Sequence, residues 1–147
     1  AMESRGLGDV YKRQVVDLPY DESKSFFNNL KKENIDLIRL ISPTTDSKRL
    51  KRMLASSSGY LYYVSLKGIT GAELKNFNEV KNKVKKIKSL TNLPVVVGFG
   101  IKDAPTAKKM ASFSDGIVVG TKIIDFIEKK STPKISNFTK SLKKAIN

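Results

Sequence analysis

Residues 93–121, LPVVVGFGIKDAPTAKKMASFSDGIVVGT, hold two apolar runs around a helical stretch. LPVVVGFG is a fully apolar strand ending in glycines, and SDGIVVGT is another. Between them, IKDAPTAKKMASF opens on Asp103 as the candidate helix cap, with Pro105 inside the first turn. A proline is tolerated there because that N–H has no partner within the helix. Strands that are apolar throughout belong to a parallel sheet with helices on its faces, not to a sheet with one wet side.

The same unit recurs upstream. VVDLP (15–19) is a strand stopped by a proline, and DESKSFFNNLKKEN (21–34) follows as a helix. Asp21 or Ser23 would cap that helix, and Phe26, Phe27 and Leu30 would face inward. IDLIRLIS (35–42) is a strand, and PTTDSKRLKRMLASSS (43–58) is a loop and helix with Leu50, Met53 and Leu54 apolar. GYLYYVS (59–65) is an aromatic-rich strand, and LKGITGAE (66–73) a glycine-bearing loop. The helix 74–90 carries Leu74, Phe77, Val80, Val84, Ile87 and Leu90 at helical spacing. The tail repeats that spacing with Ile135, Phe138, Leu142 and Ile146. Residues 1–14 join no pattern and read as a non-family leader, which leaves 15–147 as the folded unit. Four to five βα units are half of a (β/α)8 barrel, which typically needs about 250 residues. A small doubly wound sheet has the same periodicity.

Composition removes several chemistries. The 147 residues include no Cys, so there is no disulfide framework, thiolate zinc site or thiol nucleophile. They include no His, which excludes a Ser-His-Asp triad and histidine metal ligation, so no metal site is expected. No stretch approaches the roughly 20 apolar residues of a membrane span. The net charge is +14, from 28 Lys and Arg against 14 Asp and Glu. Only five are Arg, and the helix 74–90 alone holds six Lys around its apolar stripe. That pattern is a solvated lysine face, without the aromatic or Arg-rich motifs of specific nucleic-acid readers. Nonspecific attraction to polyanions at low salt still follows from the charge.

Three glycine-bearing segments fall at strand ends: 68–71 (GITG), 98–100 (GFG) and Gly120-Thr121. Ligands of α/β folds bind at the carboxyl ends of strands, where glycine lets backbone N–H groups approach an anion. A following helix N-terminus adds positive potential. The bland reading is that these glycines only make tight βα turns. Asp17 stands at the end of the first strand and Glu73 just past GITGA, but no pair of carboxylates for acid–base work assembles from the chain.

Taken together, VVDLP, SPTT with downstream Arg49, GYLYYVSLKGITG, TNLPVVVGFGI and SDGIVVGTKII resemble the tryptophan synthase alpha chain over residues 15–147. The resemblance implies the C-terminal half of a (β/α)8 TIM barrel, strands 4–8 with their helices. It implies a cytoplasmic lyase of tryptophan biosynthesis that cleaves indole-3-glycerol phosphate to indole and glyceraldehyde 3-phosphate. No cofactor is implied, since pyridoxal phosphate belongs to the partner beta chain, and neither a specific nucleic acid nor a membrane is an expected partner.

The resemblance also assigns residues. Gly71, Gly100, Gly120 and Thr121 match phosphate-binding positions; Thr121 stands where the family usually has Ser, so a hydroxyl is kept. Phe99 matches the aromatic against the indole, Tyr62 the tyrosine over the reacting region, and Thr70 the threonine of the mobile loop. Asp17 and Pro19 match a segment near the beta-chain interface. Leu66 stands where the family often has Arg. Tyr62 and Tyr63 must point to opposite faces of their strand, so only one faces the barrel interior. Thr70 could equally bond its own loop backbone. The family's acid–base pair, a Glu and an Asp, comes from the second strand and its loop, and no catalytic residue is expected here. Loss of each such group costs about 10²–10⁴ in rate. A half barrel would also leave two strand edges and an apolar interior open to another copy.

Overall fold

A computed structural model describes residues 12–14, 23–64, 73–98 and 100–147. Strands and helices alternate as β1 (Lys12–Gln14), α1 (Ser23–Lys32), β2 (Asp36–Ile41), α2 (Ser47–Ala55), β3 (Leu61–Val64), α3 (Glu73–Lys88), β4 (Val95–Gly98), α4 (Ala104–Ala111) and β5 (Gly116–Val118). Two helices close the chain, α5 (Thr121–Glu128) and α6 (Thr132–Ile146). All four strand pairings are parallel, and the sheet order is β1-β2-β3-β4-β5. A doubly wound sheet reverses its winding partway, as in the order 3-2-1-4-5-6. Five strands in strict succession are instead a run of consecutive barrel strands, which separates the two alternatives that periodicity left open.

The sheet starts earlier than the sequence suggests. Lys12–Gln14, the last three residues of the stretch read as leader, pair with Asp36–Ile38. Ladder hydrogen bonds come from the backbone, so a polar KRQ segment without apolar periodicity can still join a sheet. Residues 1–11 and the VVDLP segment lie outside the described residues.

The helices form where local chemistry demands. Asp46 caps α2 by accepting from the backbone N–H groups of Lys48 and Arg49, both at 2.8 Å. Asp103 caps α4 by accepting from the Thr106 N–H at 2.8 Å, with Pro105 in the first turn as expected. The tail is not one helix. Lys130 takes a left-handed φ of 49°, and Ser131 N–H closes on Phe126 O at 2.8 Å, so α5 ends and Pro133 opens α6.

The core lies on the helix side of the sheet. Ile41, Leu61, Tyr63, Val95 and Val97 meet Leu50, Met53, Val80, Val84, Ile87, Met110 and Leu142 there. Three apolar residues expected to face inward do not. Phe26 is 37% exposed while its neighbours Phe27 and Leu30 turn inward. Leu90 lies past the end of α3 and Ile146 in the last turn of α6, and both are exposed. At a helix end the apolar stripe outruns the sheet it covers.

Candidate functional site

The face opposite the core carries the candidate site. In-register parallel partners share a face, so Tyr62 and Val96 point together, as do Val64, Gly98 and Val118. Tyr63 is buried at 2% exposure under the helices, while Tyr62 is half-buried on the other side. Burial first, and then the neighbouring Tyr60, push the Tyr62 hydroxyl above its ordinary pKa, which keeps it a neutral donor.

Gly98 has a role that the glycine motif alone does not reveal. A Cβ at Gly98 would strike the Tyr62 hydroxyl and ring, with Cζ 2.7 Å away. The missing side chain thus makes room for the Tyr62 ring, rather than for an anion. The signal was present in the sequence as a glycine two residues beyond the partner of Tyr62, but only the register reveals it.

Two expected positions follow the ends of adjacent strands. Gly98 pairs with Val118, and Gly100 and Gly120 each come two residues after this pair in sequence. Gly100 takes a φ of +77°, a conformation that side-chain-bearing residues rarely adopt. Gly120 is the N-cap of α5, and a Cβ there would meet nothing within 4 Å. No side chain caps this helix, and Gly120 and Thr121 are both exposed. The contrast with α4, closed by Asp103, is direct: the start of α5 keeps backbone N–H groups available to an outside acceptor. Gly71, Thr70, Phe99, Asp17 and Pro19 lie outside the described residues.

Carboxylates near the sheet do structural work. Burial raises the Asp115 pKa, but the Lys88 hydrogen bond, the Val95 N–H and the Lys88 charge together lower it overall. Its two oxygens take Lys88 Nζ at 2.6 Å and Val95 N–H at 2.8 Å, locking the start of β5 to β4 and α3. Asp103 is lowered chiefly by the Thr106 N–H, and Asp46 chiefly by the Arg49 N–H. Groups held ionised in this way are poor proton donors. Among the described residues no group of three or more carboxylates could hold a metal ion, and no helix is long and apolar enough to cross a membrane.

A groove of about 380 Å³ lined by Lys51, Leu54, Ala55, Leu90 and Thr91 sits elsewhere, between the end of α2 and the turn leading into β4. It touches none of the expected site residues.

The family model described as "Tryptophan synthase alpha chain" matches residues 10–146. A tryptophan synthase alpha chain from Nitrosomonas europaea is 40% identical over 99% of this chain and 54% of its own length. One from Acinetobacter baumannii is 46% identical over 75% of this chain and 41% of its own. The crystal structure of tryptophan synthase subunit alpha from Legionella pneumophila superposes with a TM-score of 0.77 at 33% identity, covering 92% of this chain and 51% of that one. A chain of the tryptophan synthase complex from Pyrococcus furiosus gives 0.77 at 25% identity, covering 89% and 53%. The chain thus spans about half the length of the curated relatives it matches, and its five successive strands form part of a (β/α)8 barrel. With nearly every residue matched by one model and the fold in agreement, this chain belongs to the tryptophan synthase alpha chain family.

Proposed function

We propose that this chain supplies the phosphate- and indole-holding half of a lyase that cleaves indole-3-glycerol phosphate to indole and glyceraldehyde 3-phosphate. The observation that carries the reading is the uncapped start of α5, with Gly120 and Thr121 exposed just after β5. Backbone N–H groups and helix polarity there suit a phosphate dianion. Gly71 completes the phosphate cradle. Tyr62 and Phe99 flank the indole ring, and Thr70 belongs to the loop that covers it. Tyr62 stands on the half-buried face and presents a neutral hydroxyl.

The reaction needs a proton delivered to the indole ring and another removed from a glycerol hydroxyl. In this reading a Glu and an Asp from the other half of the barrel do both. Residues of this chain bind and orient, and its hydrogen-bonded carboxylates stay ionised. Asp17 and Pro19 belong to the surface that meets a beta chain, and the working compartment is the cytoplasm.

The test is reconstitution. The chain alone should show no cleavage of indole-3-glycerol phosphate. Activity should return when it is mixed with a separate polypeptide carrying the family's first three βα units and its two carboxylates. A stable complex without turnover would count against the reading.

A further inference from the structure

We infer that the outer faces of α2 and α3 form one basic surface that binds the phosphate backbone of nucleic acid without sequence preference. The inference is independent of the lyase reading. Residues 46–55 and 77–90 hold nine Lys or Arg against two carboxylates, Asp46 and Glu79. Lysines of α3 reach the start of α2: Lys83 Nζ donates to Thr45 O at 2.8 Å and Lys86 Nζ to Ser47 Oγ at 3.1 Å. Lys48, Arg49, Lys51 and Arg52 on α2 and Lys85, Lys86 and Lys88 on α3 are exposed.

Like charges recur at three- and four-residue steps: Lys48 with Lys51 and Arg52, Arg49 with Arg52, Lys81 with Lys85, and Lys85 with Lys88. Such pairs repel along a helix, and a polyanion relieves that repulsion. Part of the charge is met within the chain, since Asp46, the α2 cap, faces Arg49 and Arg52, and Lys88 is drawn to Asp115.

A lipid surface fits less well. Interfacial helices combine a basic face with exposed Trp, Phe or Leu that enter the bilayer. The large exposed apolar residues among those described are Phe26, Leu90, Ile124, Ile127 and Ile146, and of these only Leu90, just past α3, adjoins the face. A regular line of phosphates matches a surface dominated by charge.

The experiment is fluorescence anisotropy of a labelled, arbitrary-sequence DNA duplex with the full 147-residue chain, titrated between 50 and 200 mM KCl. The variant Lys48→Gln/Arg49→Gln/Lys51→Gln/Lys85→Gln removes four charges from the face. The variant Lys134→Gln/Lys140→Gln/Lys143→Gln/Lys144→Gln removes four from α6. The face variant should lose at least tenfold in affinity at 50 mM KCl. Its salt slope should fall by roughly 0.9 per contact removed. The α6 variant should lose less than about threefold. The milder pair Lys51→Gln/Lys85→Gln, checked by circular dichroism, serves if the fourfold variant does not fold. Equal losses in both variants would overturn the inference, as would no binding at 50 mM KCl. Tighter binding to phosphatidylserine vesicles than to the duplex would overturn it too.

Discussion

The Tyr62 ring occupies the space over Gly98 on the neighbouring strand where any other residue would carry its Cβ. The two are diagonal neighbours, since Tyr62 pairs with Val96 and Gly98 with Val64. Gly98→Ala should therefore displace the ring at a cost of about 1–3 kcal/mol, the usual range for overpacking. Tyr62→Ala should remove most of that penalty. A double-mutant cycle read by urea denaturation should give a coupling of about 0.5–3 kcal/mol. Additive effects would mean that the ring does not lie over Gly98.

The two adjacent tyrosines should separate cleanly by stability. Tyr63 is packed in the core, where truncating a large aromatic costs about 3–5 kcal/mol. Tyr62→Ala, on the half-buried face, should cost well under half as much in the same denaturation assay. Equal losses would contradict the assignment of faces.

Opening α5 to a phosphate should come at the expense of stability. Gly120→Asp supplies a side-chain acceptor where the structure has room for one. The melting temperature should rise, by an amount equivalent to a few tenths up to about 1 kcal/mol. In the reconstituted lyase the same carboxylate should raise KM for indole-3-glycerol phosphate at least tenfold. A stabilised variant with unchanged KM would remove the phosphate from this helix end.

Asp115 should matter more than its ion-pair partner. The Lys88–Asp115 pair is exposed on both sides, so Lys88→Ala should cost no more than about 1 kcal/mol. Asp115→Ala also strips the Val95 N–H of its acceptor and should cost about 1–3 kcal/mol. The pH dependence has a definite sign. The folded-state pKa of Asp115 lies below its unfolded value. Its contribution is full above the ordinary carboxylate pKa of about 3.9 and is lost as pH falls through the lower folded value. Denaturation midpoints of wild type and Asp115→Ala should converge between pH 5 and 2.

The same logic holds at α4. Asp103 loses its capping stabilisation as pH falls, because the Thr106 N–H lowers its pKa on folding. Asp103→Ala should cost about 0.5–2 kcal/mol at pH 7 and less at pH 3.

The apolar runs of β2 to β5 announced parallel strands, and Asp103 with Pro105 announced the start of α4, because short-range chemistry decides both. What escaped depends on contacts distant in sequence. The strand Lys12–Gln14 has no apolar periodicity and is recognisable only from its partner Asp36–Ile38. The purpose of Gly98 lies on a different strand, at Tyr62. The exposure of Leu90 and Ile146 depends on where the sheet stops, which a helical repeat does not encode. Within the candidate site, Gly100 and Gly120 were legible as strand-end glycines. The contrast between an uncapped α5 and a capped α4 was not, because Gly120 can cap a helix only through its backbone.

The unbroken strand order has a consequence for how the chain is made. Lys12 pairs with Asp36, Arg39 with Leu61, Leu61 with Val95 and Val96 with Gly116, so each pairing closes a loop of 20 to 34 residues. The entropy of closing such loops grows only slowly with their length. A ribosome adds about 5–20 residues each second, so every strand emerges within seconds of the one it must join. Among the described strands none waits for a distant segment to be translated, and they can pair in the order of synthesis.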